Sequence, residues 1–501
     1  SERHKTEREL ELADSRENGN HAVDRRTFLA IQLLTGIGFS LSSCGRELEP
    51  TVNAGAPALT GPPPVSPDEL LLFHKEDDYY DDLRARFNKR VDKHPAVIAL
   101  CRDTEEVSKA VRYARQEGLI VSVKSGGHSF ECFSSNDGGM VIDLSLINQI
   151  EWIDSETIRV GPGCKLSELY GELLPQGRIL PAGACGGVGI GGLTLGGGYG
   201  FFSRELGLTC DSMSALTLVD GVGTIHDSRD ESELLWACRG GGNGNFGVVT
   251  EMIFKTSPAP SGMYRSRFKA KRLSPERAAS LMETWFEVAA ALPPTAFSAF
   301  VLNGTSLLIL VTDTKERDAK TDALLTKLTA VTDTASLGRR EELSKAIPKH
   351  YGSKGPLYFK NASAGLYANF DDIRGAAREV ASLVAGGGGL IYQINTLGGK
   401  VADPALERDS AFPHRQRPFL AELQTYYERP RDEESRLSAF RKVQETLREV
   451  GVIHHYRNYP DLEFENWEAA YYGASYPRLQ ELKARYDPED LFQHPQSVRA
   501  R

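Results

Sequence analysis

Two glycine-rich loops carry the side chains best suited to covalent chemistry in this chain. Lys124-Ser125-Gly126-Gly127-His128-Ser129-Phe130 sets a single imidazole among glycines. About sixty residues on, Gly183-Ala184-Cys185-Gly186-Gly187-Val188-Gly189 places one thiol at the head of a run. That run continues as Gly191-Gly192-Leu193-Thr194-Leu195-Gly196-Gly197-Gly198-Tyr199-Gly200. Backbone without Cβ atoms approaches a flat or phosphorylated ligand closely and makes turns other residues cannot. Taken singly, His128 reads as a satisfied loop histidine and Cys185 as a small buried hydrophobe. Together they predict a large cofactor held by backbone amides and tethered by His128 and Cys185. The amides of Ser125, Gly126, Gly127, His128 and Ser129 would form an anion-binding concavity. The stretch through Gly187, Val188, Gly189 and Gly192 would lie along the ligand.

Such loops need rigid elements behind them. From residue 95 the pattern alternates: strands at 97–100, 119–123, 140–144 and 157–160, a helix at 105–116 capped by Thr104 and ended by Gly118, and a short helix at 166–174. The strand at 119–123 runs straight into the His128 loop. Past the glycine run, strands at 215–219 and 247–254, the latter including Val249, flank a helix at 231–238. The texture changes near Pro258-Ala259-Pro260. Helices at 274–291, 315–330 and 432–450 then interleave with strands at 298–302, 306–311, 390–397 and 419–427, which predicts helices over an antiparallel sheet. The tail from Tyr471 to Phe492 reads as a helix and turn returning to the first region. The fold class is α+β.

Composition narrows the class. With 501 residues, 40% hydrophobic and 25% charged, the chain supports two sizeable cores. A net charge of -9 argues against a nucleic-acid surface. The seven cysteines are scattered without a CxxC pair, so neither a disulfide framework nor a metal site is expected. Arg25-Arg26-Thr27-Phe28-Leu29 resembles a twin-arginine signal, followed by an apolar run too short to span a membrane. Leu41-Ser42-Ser43-Cys44-Gly45 resembles a bacterial lipobox, so a lipid on Cys44 would attach the protein to a membrane. Residues 1–44 are thus expected to be an export signal and 45–69 a Pro/Gly-rich tether, giving a periplasmic, secreted or lipid-anchored protein. The competing reading is a polar tail on a cytoplasmic protein.

Further motifs complete a pattern: Arg239-Gly240-Gly241-Gly242-Asn243-Gly244-Asn245-Phe246-Gly247, Phe412-Pro413-His414-Arg415, Tyr456-Arg457-Asn458-Tyr459, and a tail from Tyr472-Gly473 to Gln496-Ser497. With the His128 and Cys185 loops, over most of residues 70–500, the chain resembles the berberine-bridge-enzyme-like flavin oxidases of the vanillyl-alcohol-oxidase (PCMH) superfamily. The resemblance implies a PCMH-type FAD-binding domain of two α/β subdomains, at 70–260 and completed by 460–501. A substrate domain at 261–459 would roof it. It also implies bicovalent FAD, with His128 on the 8α-methyl and Cys185 on C6 of the isoalloxazine. Covalent attachment raises the flavin potential, and the protein supplies position and proton handling.

Oxidising an alcohol requires a base for the hydroxyl proton. Tyr456, with Asn458 two residues on, matches the family's Tyr-x-Asn base motif; a strand there would put both on one face. Tyr199 and Gln424 match a supporting tyrosine and glutamine, with roles in orienting the substrate hydroxyl and stabilising deprotonated Tyr456. His454 and His455 are rival bases. Gly198 and Ser475 fall in stretches that contact the flavin in the family. Two departures bear on the substrate: Phe130 stands where relatives often carry tyrosine, and Ser475 where asparagine is frequent. The implied activity is oxidation of an alcohol by O2 with release of H2O2, on a sugar or oligosaccharide anomeric hydroxyl. Alternatives are an aromatic alcohol or secondary metabolite, a dehydrogenase passing electrons to a quinone or redox protein, and a non-catalytic anchored flavoprotein.

Overall fold

A computed structural model describes residues 65–352, 355–387 and 389–501. The export and lipidation motifs, and the tether through residue 64, lie outside the described residues. Val65 is already buried against the first core.

Strands β1 (Leu72–Phe73), β2 (Val97–Leu100), β3 (Val121–Lys124) and β4 (Met140–Asp143) form one sheet in the order β1-β2-β4-β3. β4 is parallel to both β2 and β3, while β1 is antiparallel. Parallel pairing needs a crossover, and helix α1 (Thr104–Gln116) supplies it between β2 and β3. Its Val107, Ala110, Val111 and Ala114 are buried, and Gly118, at φ +65°, ends the run. The cap is Asp103 rather than the expected Thr104. Asp103 is extended and its carboxylate accepts from Glu106 N–H at 2.8 Å, whereas the Thr104 hydroxyl bonds Thr250 Oγ1 at 2.9 Å.

A second, antiparallel sheet has β5 (Ile150–Trp152), β6 (Thr157–Val160), β7 (Met213–Asp220), β8 (Ile225–Asp227) and β9 (Gly247–Lys255), in the order β5-β6-β9-β7-β8. Helices α2 (Leu166–Leu173), α3 (Ile190–Leu195) and α4 (Ser232–Cys238) contribute to its core. Helix α3 lies inside the glycine run, which composition alone reads as loop.

A third, eight-stranded sheet begins with β10 (Met263–Ala270), and then takes in β11 (Ala296–Asn303), β12 (Ser306–Asp313), β13 (Tyr358–Tyr367), β14 (Leu390–Thr396) and β15 (Phe419–Tyr427). These six run in the order β10-β12-β11-β14-β15-β13, and the short strands Thr334–Ser336 and Arg340–Glu341 pair with β10. β10 and β13 were not legible. β10 alternates Arg265, Arg267 and Lys269 with its buried residues, and β13 is broken by a register shift at Gly365. One face of this sheet is covered by α5 (Pro275–Ala291), α6 (Ala319–Val331), α7 (Ala377–Ala385) and α8 (Glu433–Glu449). Trp285 of α5 anchors the layer through Nε1–H to Ser298 Oγ at 2.9 Å. The other face looks into the cavity described below.

The tail folds as α9 (Trp467–Tyr472) and α10 (Tyr476–Tyr486) and returns to the first two sheets. The fully buried Lys483 pairs with Asp487 at 2.6 Å and donates to Asn245 O and Phe492 O, while Phe492 bridges Val121 at the start of β3. No helix among the described residues is long and apolar enough to cross a membrane.

Candidate active site

The two glycine loops meet. A Cβ on Gly126 would lie 2.3 Å from Gly189 N, so only glycine allows this contact. Behind it, a Cβ on Gly187 would stand 3.1 Å from His128 Nε2. The imidazole stacks on Phe87 with centroids 4.1 Å apart, and burial, helped by the charge of Lys165, lowers its pKa to about 4. It is therefore neutral near pH 7, the form in which a ring nitrogen keeps a reactive lone pair. Cys185 is exposed, whereas Cys101, Cys132, Cys164, Cys210 and Cys238 are buried. Ser125 and Ser129 serve the loop itself: Ser125 Oγ donates to Pro162 O at 2.6 Å, and Ser129 Oγ accepts from Phe133 N–H at 3.0 Å.

Both loops line a cavity of about 620 Å³, in the usual size range for ligand sites. Val188, Gly189, Gly192 and Val249 also form its wall. At Gly192 an added methyl would meet no atom within 4 Å and would occupy open space at the wall. Ser475 does not line the cavity; it lies in a 3-10 turn at the start of α10.

Tyr456 and Asn458 reach the same cavity from the chain's other end. They lie in a turn closed by Tyr459 N–H to Tyr456 O at 3.0 Å, not on the expected strand. The turn still brings the pair together. Tyr456 Oη accepts from Asn458 Nδ2 at 3.0 Å and from Gly198 N–H at 2.9 Å. Asn458 is itself fixed, donating to Leu193 O and accepting from Asn243 Nδ2. Burial raises the Tyr456 phenol above its usual value, and the Gly198 and Asn458 donors oppose that rise. Two N–H groups aimed at one phenol oxygen stabilise its anion more than its neutral form.

Tyr199 and Gln424 line the cavity but bond elsewhere. Tyr199 Oη shares a proton with Tyr459 Oη at 2.8 Å and accepts from Asn395 Nδ2 at 3.0 Å. Its ring stands edge-on to Tyr456, with centroids 5.8 Å apart. Gln424 donates to Gln393 Oε1 at 3.3 Å, and Gln393 donates to Asn395 Oδ1 at 2.9 Å. Tyr426 and Asn361 extend this network to Glu422. The rival bases fall outside: neither His454 nor His455 lines the cavity, and buried His455 contacts Ser363 Oγ and stacks on Phe464.

The residues missed from sequence are Glu422, Asn361, Gln393, Asn395 and Tyr459. For Glu422 the signal was a period-2 polar stripe. Glu422, Gln424 and Tyr426 alternate along β15 with Leu423 and Thr425, as a solvent-facing edge would read.

Glycine backbone open at the wall, an exposed thiol and an unprotonated imidazole on touching loops together fit a large flat cofactor attached by side chains. A family profile described as FAD binding domain matches residues 95–229, and one described as berberine and berberine like matches residues 455–499. The uncharacterized FAD-linked oxidoreductase YvdP of Bacillus subtilis is 30% identical over 461 residues, covering 85% of this chain and 97% of that protein. The chitooligosaccharide oxidase of Gibberella zeae is 28% identical, covering 82% and 89%. A solved glucooligosaccharide oxidase from Acremonium strictum, described as revealing a novel flavinylation, superposes with a TM-score of 0.77 at 25% identity. That match covers 86% of this chain and 96% of the solved one. The fold and site are those of an FAD-linked oxidoreductase. The chain belongs to the berberine-bridge-enzyme-like family of the PCMH superfamily.

Proposed function

We propose that the enzyme oxidises the anomeric hydroxyl of a sugar or oligosaccharide to the lactone, with O2 as final acceptor and H2O2 as second product. The observation that carries this reading is the pair of N–H donors, from Gly198 and Asn458, converging on Tyr456 Oη inside a cavity bounded by His128 and Cys185. Tyr456 reacts as the phenolate, which the two donors stabilise, and takes the hydroxyl proton at Oη to become the neutral phenol. Tyr199, oriented by Tyr459 and Asn395, and Gln424, held by Gln393, present hydrogen-bonding groups to the substrate hydroxyls. FAD, when bound, supplies the hydride acceptor. His128 and Cys185 are its covalent anchors, and the amides at 125–129 and 186–192 hold its phosphates and ring. The names of the chitooligosaccharide and glucooligosaccharide oxidases support a sugar.

In this reading residues 70–260 and 460–501 form the cofactor part and 261–459 the substrate part; the core around Trp285 lies wholly within 261–459, while Met263, Leu343, Ile347 and Ala411 pack into the core of the second sheet. Export through Arg25-Arg26 and a lipid on Cys44 rest on those motifs alone. One wall favours a second substrate class. Phe297, Ala299, Val301, Leu308 and Leu310 of β11 and β12 are apolar and suit an aromatic alcohol or other ring-bearing metabolite.

Peroxide release across a panel of oligosaccharides and aryl alcohols tests the reaction. Sugar-dependent peroxide supports the first reading, while reduction of an artificial acceptor without peroxide identifies a dehydrogenase. Digestion of the loaded enzyme should yield one crosslinked flavin adduct containing both the His128 and Cys185 peptides. Flavin released by acid contradicts the anchors.

A further inference from the structure

The substrate-facing sheet carries two buried acids with no ion-pair partner among the described residues, Asp313 and Glu422, and only Glu422 lines the cavity. Glu422 of β15 is 7% accessible, and its side chain lines the cavity. Its carboxyl meets only side-chain amides: Oε1 accepts a long hydrogen bond from Asn361 Nδ2 at 3.3 Å, and the Gln424 amide also interacts with it. Among the described residues it has no ion-pair partner. Four other buried acids do have a cation: Glu131 has Arg90 and Lys360, Asp143 has Lys124, Asp461 has Lys360, and Asp487 has Lys483. The titratable groups facing Glu422 are Cys185, Tyr199, Tyr426 of its own strand and Tyr459, none of them cationic. The packed strands β13 and β14 add only the neutral amides of Asn361, Gln393 and Asn395.

A carboxylate taken from water costs several kcal/mol unless a cation or full hydrogen bonding replaces the solvent. The described residues provide neither at Glu422. The cavity is where a ligand would supply the missing charge.

We propose that Glu422 is the counter-ion for a protonated nitrogen on the substrate, so that the preferred substrate is an alcohol bearing a basic amine, such as an amino sugar, rather than a neutral one. This rests on the reading of the cavity as the substrate site. Burial raises the Glu422 carboxyl to about 8 when no cation is present, with the Gln424 and Asn361 amides pulling the other way. An incoming ammonium therefore displaces a proton from Glu422 near pH 7.

The test uses the loaded enzyme and two small probes that carry no hydroxyl, n-butylammonium and the neutral butyramide. Binding is read from flavin absorbance and proton release from calorimetry in two buffers. The wild type is expected to bind the ammonium at least about tenfold more tightly than the amide, with proton uptake by the buffer. Glu422→Gln should lose that preference and the proton release while binding butyramide unchanged, and Glu422→Asp should keep part of the preference. Equal affinities in the wild type, or a preference that survives Glu422→Gln, overturn the proposal. So does a Glu422→Gln defect confined to neutral sugars, which would make Glu422 an ordinary hydroxyl ligand. Failure of the reaction reads separately: a cation preference without flavin reduction by any alcohol sinks the oxidation and leaves this inference standing.

Discussion

Tyr456 receives two hydrogen bonds and donates none to the described residues, an arrangement that favours the phenolate able to accept the substrate's proton. Replacing it with Phe should slow substrate-driven flavin reduction about 10²- to 10⁴-fold, measured by stopped flow, and leave the resting flavin spectrum intact. Glu422 sets a pH dependence of stability. Its folded value of about 8 exceeds its ordinary 4.5, so the folded state holds the proton more tightly than the unfolded one. The stabilisation is complete below pH 4.5 and is lost as pH rises towards 8. Thermal denaturation of the ligand-free enzyme should show a fall over that window that Glu422→Gln flattens. The meeting of the His128 and Cys185 loops at one cavity was legible because reactive side chains among glycines have few bland explanations in combination. Asn458 was legible in identity but not in geometry, because a turn rather than a strand brings it to the phenol oxygen. Glu422 was not legible: nothing local distinguishes a strand face turned to a cavity from one turned to water.

Elements explain the remaining surprises. Helix α3 forms from Ile190-Gly191-Gly192-Leu193-Thr194-Leu195 although glycine costs about 1 kcal/mol per residue in a helix. Tertiary contacts override that propensity: Ile190, Gly191, Thr194 and Leu195 are buried against the second sheet. The strand into the His128 loop was legible because β3 follows an apolar run flanked by glycines, and its register fixes where the loop begins. Gly126→Ala probes the dependence of both loops on their contact, since its methyl would fall 2.3 Å from Gly189 N. It should cost about 3 kcal/mol or more and leave most of the purified protein without bound flavin, read as the ratio of flavin to protein absorbance.

Across the molecule, buried charges fasten the third sheet to the rest. Lys360 of β13 pairs with Glu131, just past the His128 loop, and with Asp461, just past the Tyr456 turn. Lys360→Met leaves two buried carboxylates with less compensation, and should cost about 3–5 kcal/mol in thermal unfolding. The α+β class and the change of texture near residue 258 were legible from periodicity. The return of the tail was too, though only as a direction. Which residues it would touch depended on pairings distant in sequence, such as Lys483 with Asn245 and Phe492 with Val121. Those pairings also set an order of events. Phe492 seats the root of the strand that leads into the His128 loop, and Tyr456 closes the chamber, so a nascent chain has no finished chamber until Tyr456 and Phe492 have both left the ribosome. Flavin binding then follows the synthesis of both segments, and a yellow chain is one in which they have already met.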